Sequence, residues 1–244
     1  MNVRQVLKRS DTIVGLVRDS RKLLRIPGRI AHRIRRNRII KCYLASHEIR
    51  KLQLGAGLTS LDGWLNTDIT PKFGNCVYLD VTKPFPFDSD TFDYVYSEHM
   101  IEHISWREGL FMLQECRRVL KPNGTVRIAT PDLEVIIGLL NRKGDPLNER
   151  YIKWITDRYL KKLNLYKACF VVNNAFYDWG HQLLYDGDLL ETAMQEAGFT
   201  NTQRCFPGES DDENLRGIES HGKTVADDDM AVFETMVFGG KCPA

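Results

Sequence analysis

At 244 residues, 43% of them hydrophobic, the chain is long enough to bury one good core. It contains no run of about 18 apolar residues, and its start lacks the compact apolar core of a signal peptide, so neither membrane spanning nor export is expected. Six cysteines without a CxxC pair or a regular spacing argue against a zinc ribbon or a disulfide framework and suit a reducing cytoplasm. The net charge of +2 is unevenly spread: residues 1–50 hold 14 of the 34 Lys+Arg and 3 of the 32 Asp+Glu, leaving 20 against 29 for the rest.

In chain order, residues 1–48 form a basic head that predicts two helical stretches separated by Pro27-Gly28, a helix-breaking pair. Val3, Val6, Leu7, Val14, Val17 and Leu24 recur at helical spacing among lysines and arginines, and the basic density peaks from Arg29 to Arg38. Such a surface could lie on an anionic membrane, meet nucleic acid phosphates, pack on a catalytic domain or join two copies of the chain. From residue 49 the texture becomes that of a parallel sheet with intervening helices. Strands are predicted at Lys51 to Leu54, Trp64 to Asp68, Cys76 to Asp80, Phe92 to Ser97, Gly124 to Thr130, Thr200 to Phe206 and Ala231 to Gly239. Helices are predicted at Trp106 to Leu120 and Asp188 to Ala197, each followed by a stop signal, Lys121-Pro122-Asn123-Gly124 and Gly198. Residues 133–180 are too many for a plain connection and read as an inserted helical cap rich in aromatic residues. The fold class is therefore α/β, with a seven-stranded Rossmann-like sheet, helices on both faces, the cap, and the basic extension.

The first strand runs into Gly55-Ala56-Gly57, a turn whose missing side chains let backbone N–H groups approach a ligand. The next two strands end in carboxylates: Asp68 can accept both hydroxyls of a ribose, and Asp80 can accept the exocyclic amine of an adenine. Each feature has a plain structural alternative, a tight turn or a strand-end cap. Their order along one sheet edge is far more specific than any of them alone.

The stretches KLQLGAG, GWLNTDI, FPFDSDTFDYVYSEHMIEHI, RRVLKPNGTVRIATPDL, GHQLLYD and EAGF resemble the class I S-adenosylmethionine-dependent methyltransferases. The likeness is greatest to bacterial methyltransferase-like proteins often associated with surface-glycan biosynthesis. It implies a sheet ending in an antiparallel hairpin, with S-adenosylmethionine across the ends of the first strands. It also implies a cofactor set of Gln53, Leu54, Gly55, Ala56, Gly57, Asp68, Ile69, Asp80, Val81, Ser97 and Glu98, the last two bordering the methyl group. Two residues depart from the family pattern: Gln53 stands where an acidic residue is common, and Thr59 where a further glycine is. Gln53 can hydrogen-bond an amino group but brings no charge to it.

Methyl transfer to a hydroxyl requires alignment and removal of a proton, which a histidine suits. His99, His181 and His221 are candidates, with His181 favoured as base and His99 and Glu98 next to it in rank. Glu98-His99-Met100-Ile101-Glu102-His103 also invites a metal reading through His99 and His103. The family likeness gives Glu102 and His103 a structural role instead, so no metal is expected. The reading reached is an O-methyltransferase for a sugar hydroxyl of a glycan or glycolipid precursor, cytoplasmic and peripheral to the inner membrane through residues 1–48. A small-metabolite or RNA methyltransferase and a non-catalytic cofactor-binding scaffold are the alternatives. Known RNA-recognition motifs are absent from the sequence.

Overall fold

The computed structural model describes residues 26–141, 144–161, 163 and 165–244, with side chains in the first helix described from Arg35 onward. The predicted apolar stripe from Val3 to Leu24 lies outside the described residues. The chain divides into two compact units, Met1–Ser46 and His47–Ala244. Of the first, helix α1 (Ile26–Ser46) is described. Pro27-Gly28 lies within this helix as described and does not end it; the stretch predicted before it lies outside the described residues. No helix among the described residues is long and apolar enough to cross a membrane.

The second unit is built on β1 (Lys51–Leu54), β2 (Leu65–Asp68), β3 (Val77–Tyr78), β4 (Phe92–Glu98), β5 (Leu120–Pro131), β6 (Thr200–Cys205) and β7 (Thr235–Lys241). They form one sheet in the order β3-β2-β1-β4-β5-β7-β6, with β7 antiparallel to both of its neighbours and the other pairs parallel. The central strands are buried on both faces: Leu52 and Leu54 in β1, Phe92 and Val95 in β4, and Val126 and Ile128 in β5 are inaccessible to solvent. The chain goes from β1 outward to β3 and then returns to place β4 on the other side of β1. The β1/β4 pair is thus the topological switch point, where such sheets bind ligands at their carboxyl edge.

The expected alternation of strand and helix holds only beyond β4. The connections 55–64, 69–76 and 79–91 form turns without a helix, the first two being too short for a full helical crossover. Asn66 braces the first of them by accepting from the Leu61 N–H (2.8 Å) and donating to the Leu61 and Trp64 carbonyls. Helix α2 (Trp106–Val119) begins where Glu108 accepts from both the backbone N–H and the hydroxyl of Ser105, and it ends at the Leu120 start of β5.

Between β5 and β6 come α3 (Leu133–Asn141), α4 (Pro146–Tyr159), α5 (Ala168–Tyr177) and α6 (Gly187–Glu196). The first three share an apolar core in which Ile136, Leu139, Tyr151, Ile155, Val171 and Val172 pack together with Leu184 and Met230. Helix α6 starts at Asp186, whose side chain accepts from the Leu189 N–H. After β6 come α7 (His221–Val225) and α8 (Asp228–Glu234). The predicted last strand is corrected at its start: Ala231 to Glu234 belong to α8, capped by Asp227, and extended structure begins at Thr235. A short apolar run such as Ala231-Val232-Phe233 carries no period that separates strand from helix.

Candidate active site

The parallel register pairs Leu54 with Ser97, so the segments leaving β1 and β4 start side by side. Gly55 and Gly57 both take left-handed backbone (φ +65° and +54°), which glycine adopts without strain. At Gly55 the requirement is also spatial, because a Cβ there would lie 2.5 Å from Cγ of Met100. At Gly57 it would meet nothing within 4 Å, so that face of the turn is open. Asp68 secures the turn: one carboxylate oxygen accepts from the Gly57 N–H (2.9 Å) and the other from the Thr70 N–H (2.6 Å). The Leu79 N–H donates to the Asp68 carbonyl, which continues the edge to Asp80; the Asp80 carboxylate accepts from the Thr82 N–H and hydroxyl.

Across the switch point Ser97 is fully buried and Glu98 faces the segment before α7. The Glu98 carboxylate accepts from the backbone N–H groups of Ser220 and His221, both at 2.9 Å, and from the Ser220 hydroxyl. His99 has left-handed backbone (φ +44°), which turns its ring under that segment. Its Nε2 lies 2.9 Å from the Thr235 hydroxyl and its Nδ1 3.4 Å from Glu102 Oε1, and its ring stacks on His221 at 3.8 Å with 16° between the planes. Burial works against the charged form of His99, yet the hydrogen bond and charge of Glu102, with Glu234 and Glu98 beyond, raise its pKa overall. The Nε2 of His221 lies 3.5 Å from Glu234 Oε1, and Tyr151 donates its hydroxyl proton to the same carboxylate. Burial beside that carboxylate pushes the Tyr151 phenol well above its ordinary value, so it stays protonated.

A third group closes the cap side. Glu102, fully buried, accepts from the Thr130 hydroxyl on Oε2 (3.1 Å), while Oε1 lies between His99 Nδ1 at 3.4 Å and His103 Nε2 at 4.0 Å. Burial works against ionisation of Glu102, but the adjacent histidines hold its pKa below the ordinary value. His181 points its Nδ1 at the Ala175 carbonyl (2.7 Å), which fixes the proton on that nitrogen. Burial lowers the His181 pKa and keeps the ring neutral.

One cavity of about 320 Å³ joins these groups. Gln53 and the turn from Gly55 to Thr59 line one end, and Glu98, His99, Glu102, His103, His181, His221 and Glu234 the other, with Tyr151, Trp154, Tyr159 and Trp179 on its walls. Of the residues the sequence singled out, Gln53, Gly55, Ala56, Gly57, Glu98, His99 and His181 line this cavity. Leu54 and Ser97 are buried behind it, and Asp68, Ile69, Asp80 and Val81 sit along the adjoining strand ends. Among the aromatic residues of the cap, Tyr166, Phe176 and Tyr177 are exposed and do not line it. Glu102, Thr235 and Glu234 were missed as site residues. No local motif marks them; they meet because the cap and the α7/α8 segment converge on the end of β4.

The donor end fits an adenosyl sulfonium on three counts. The amide oxygen of Gln53 is buried without a hydrogen-bond partner and can accept from an ammonium group; the Gly57 face is open; and Leu58 and Ile69 leave 75% and 62% of their surface exposed beside the turn, where a base can cover them.

Residues 61–128 match the family model described as a methyltransferase domain. Similar solved structures include a SAM-dependent methyltransferase of Archaeoglobus fulgidus (15% identity over 86% of this chain and 94% of that one, TM-score 0.46). Another is an S-adenosylmethionine-dependent methyltransferase of Mesorhizobium loti (14% identity, 79% and 90%, TM-score 0.45). A third is the phosphoethanolamine N-methyltransferase 2 of Haemonchus contortus with S-adenosyl-L-methionine (14% identity, 80% and 49%, TM-score 0.42). No curated protein matches the sequence.

Proposed function

We propose that the chain is a class I S-adenosylmethionine-dependent methyltransferase that methylates a hydroxyl of a sugar-like acceptor held in the cavity beneath the cap. The observation that carries this reading is the continuity of the cavity from the glycine turn to a wall of imidazoles, carboxylates and aromatic rings. Aromatic faces suit the C–H faces of a sugar ring, and the polar groups suit its hydroxyls. When bound, S-adenosylmethionine supplies an electrophilic methyl group on a positively charged sulfur. Gln53, the Gly55 to Gly57 turn, Asp68 and Asp80 are the residues that would hold it, with Leu58 and Ile69 against the base.

The remaining work falls to the chain's own side chains. Glu98 pins the backbone of His221 at the end of β4, where the methyl group is to be met, and Glu234 sits beside its ring. A carboxylate at Nε2 favours the tautomer that carries its proton there and leaves Nδ1 as the acceptor. His221 therefore takes the hydroxyl proton as the oxygen–methyl bond forms, and Glu234 stabilises the resulting imidazolium. We assign this role to His221 in place of His181 because a carboxylate lies beside the His221 ring to stabilise an imidazolium, whereas His181 has a neutral carbonyl on Nδ1 and a pKa lowered by burial, and we give His99 and Glu98 positioning roles because their polar atoms are already engaged.

The test is turnover of the purified full chain with S-adenosylmethionine and a panel of free, nucleotide-linked and lipid-linked sugars. S-adenosylhomocysteine release and the mass of the methylated product are the readouts. Methyl addition to a sugar oxygen is the expected result. Methylation confined to nitrogen, RNA or non-sugar acceptors would overturn the acceptor assignment, and the absence of any thermal shift with the cofactor would overturn the donor site.

A further inference from the structure

We propose that Glu102, His103 and His181 form a binding site for a borderline divalent metal ion, of the zinc, cobalt or nickel type, at the cap end of the cavity. Each of the three offers one ligand atom, and these atoms lie within 4.8 Å of one another. Donors on a tetrahedral ion with bonds of 2.0–2.2 Å stand roughly 3.4 Å apart, so a small contraction closes the set. Two imidazoles and one carboxylate, with a further position open to a cavity, is the donor pattern of a zinc ion that keeps an exchangeable site.

The surroundings of the three ligands argue the case more strongly than their proximity. The Nδ1 of His181 is anchored to the Ala175 carbonyl at 2.7 Å, which orients the ring and leaves Nε2 as a lone pair. The Glu102 carboxylate receives the Thr130 hydroxyl on one oxygen, while the other, fully buried, faces the imidazoles of His99 at 3.4 Å and His103 at 4.0 Å. Outer hydrogen bonds of this kind, to a backbone carbonyl and from a hydroxyl, are what fix metal ligands in place. The two segments are also clamped together: the Gln182 and Leu183 N–H groups donate to the Glu102 carbonyl, and the Gln182 side chain donates to the His103 carbonyl. Trp179 and Gly180 both take left-handed backbone, φ +60° and +81°, in the turn that delivers His181. A bulky residue in that conformation is retained only where its surroundings impose it.

The neighbouring set of His99, His221 and Glu234 is equally close but unsuited to an ion. Its imidazoles are stacked nearly parallel, so their in-plane lone pairs run alongside each other and do not converge. The sequence spacing pointed only to His99 and His103. The fold pairs His103 with His181 from the far side of the cap instead. The open coordination position would take hydroxyl oxygens of the acceptor, and this part of the proposal rests on the reading of the cavity as an acceptor site. Ion binding itself does not.

The experiment is titration of the chelator-treated full chain with cobalt(II) and zinc(II), without cofactor or acceptor. Cobalt should bind with one equivalent and give visible bands of a nitrogen and oxygen site, without the near-ultraviolet band of a thiolate ligand. H103N and H181A should each weaken binding at least tenfold, T130A by about tenfold, and H221A not at all. His103 is 38% exposed on its side chain, so H103N tests the site without disturbing the core. Unchanged affinity in both H103N and H181A, a spectrum dominated by thiolate, or no saturable binding would overturn the site. Failure of sugar turnover with intact cobalt binding would count against the acceptor reading alone.

Discussion

The two ends of the cavity are built by different means. The donor end is made largely of backbone: two left-handed glycines, the ends of β1 to β3, and a carboxylate that secures the turn through the Gly57 N–H. The acceptor end is made of side chains, with four histidines, Glu98, Glu102 and Glu234 brought from three separate stretches of the chain. A backbone site depends on a few residues being absent in bulk. A side-chain site depends on each group having its partner.

Variants at the two ends should therefore fail differently. The largest effect is expected on the acceptor side: His221→Ala should lower kcat by roughly 100-fold or more while leaving the affinity for S-adenosylmethionine unchanged. An equal loss in His181→Ala with none in His221→Ala would return the base to His181. Gly55→Ala comes next and should affect the donor end alone. The added Cβ would lie 2.5 Å from Met100 Cγ in left-handed backbone, so calorimetry should show strongly weakened cofactor binding and melting a loss of about 1–3 kcal/mol. Gly57→Ala, with the same hand of backbone but open space, should lose only about 1 kcal/mol. Asp68→Ala should weaken cofactor binding by about 1–3 kcal/mol, the range for hydrogen bonds to a charged group. Unchanged affinity would remove Asp68 from the donor edge.

The smallest effect lies away from both ends. The Arg118 guanidinium, bonded to Glu115 at 2.7 Å, holds that carboxyl below its ordinary value of 4.5. The pair's contribution is complete above that value and fades as pH falls through the lowered one in the folded state. Glu115→Gln should flatten the acid limb of the stability curve by less than about 1 kcal/mol, without changing cofactor or metal binding.

The same contrast explains what could be read from the sequence. The β1 strand and its turn, the carboxylates that end β2 and precede Thr82, and helix α2 with its Ser105 and Glu108 start are local patterns, and local patterns survive in one dimension. Glu102 was visible only as a structural residue beside a histidine. Its burial against His99 and Thr130 depends on β5 lying next to β4. Tyr151 and Glu234 are far apart in the chain and meet only because α4 of the cap sets Tyr151 against Phe233 and Glu234 of α8. The start of β7 was misplaced for a simpler reason, since Ala231 to Phe233 are apolar in either conformation.

The apolar core that α3, α4 and α5 build with Leu184 and Met230 has a further consequence for how the molecule opens. Elements that bury their own hydrophobic surface can loosen as a unit while the sheet stays intact. Hydrogen exchange is expected to show the cap amides opening together at a lower free energy than those of β1, β4 and β5. The acceptor chamber would then be entered by cooperative breathing of one subdomain, leaving the glycine turn and the cofactor it holds undisturbed between turnovers.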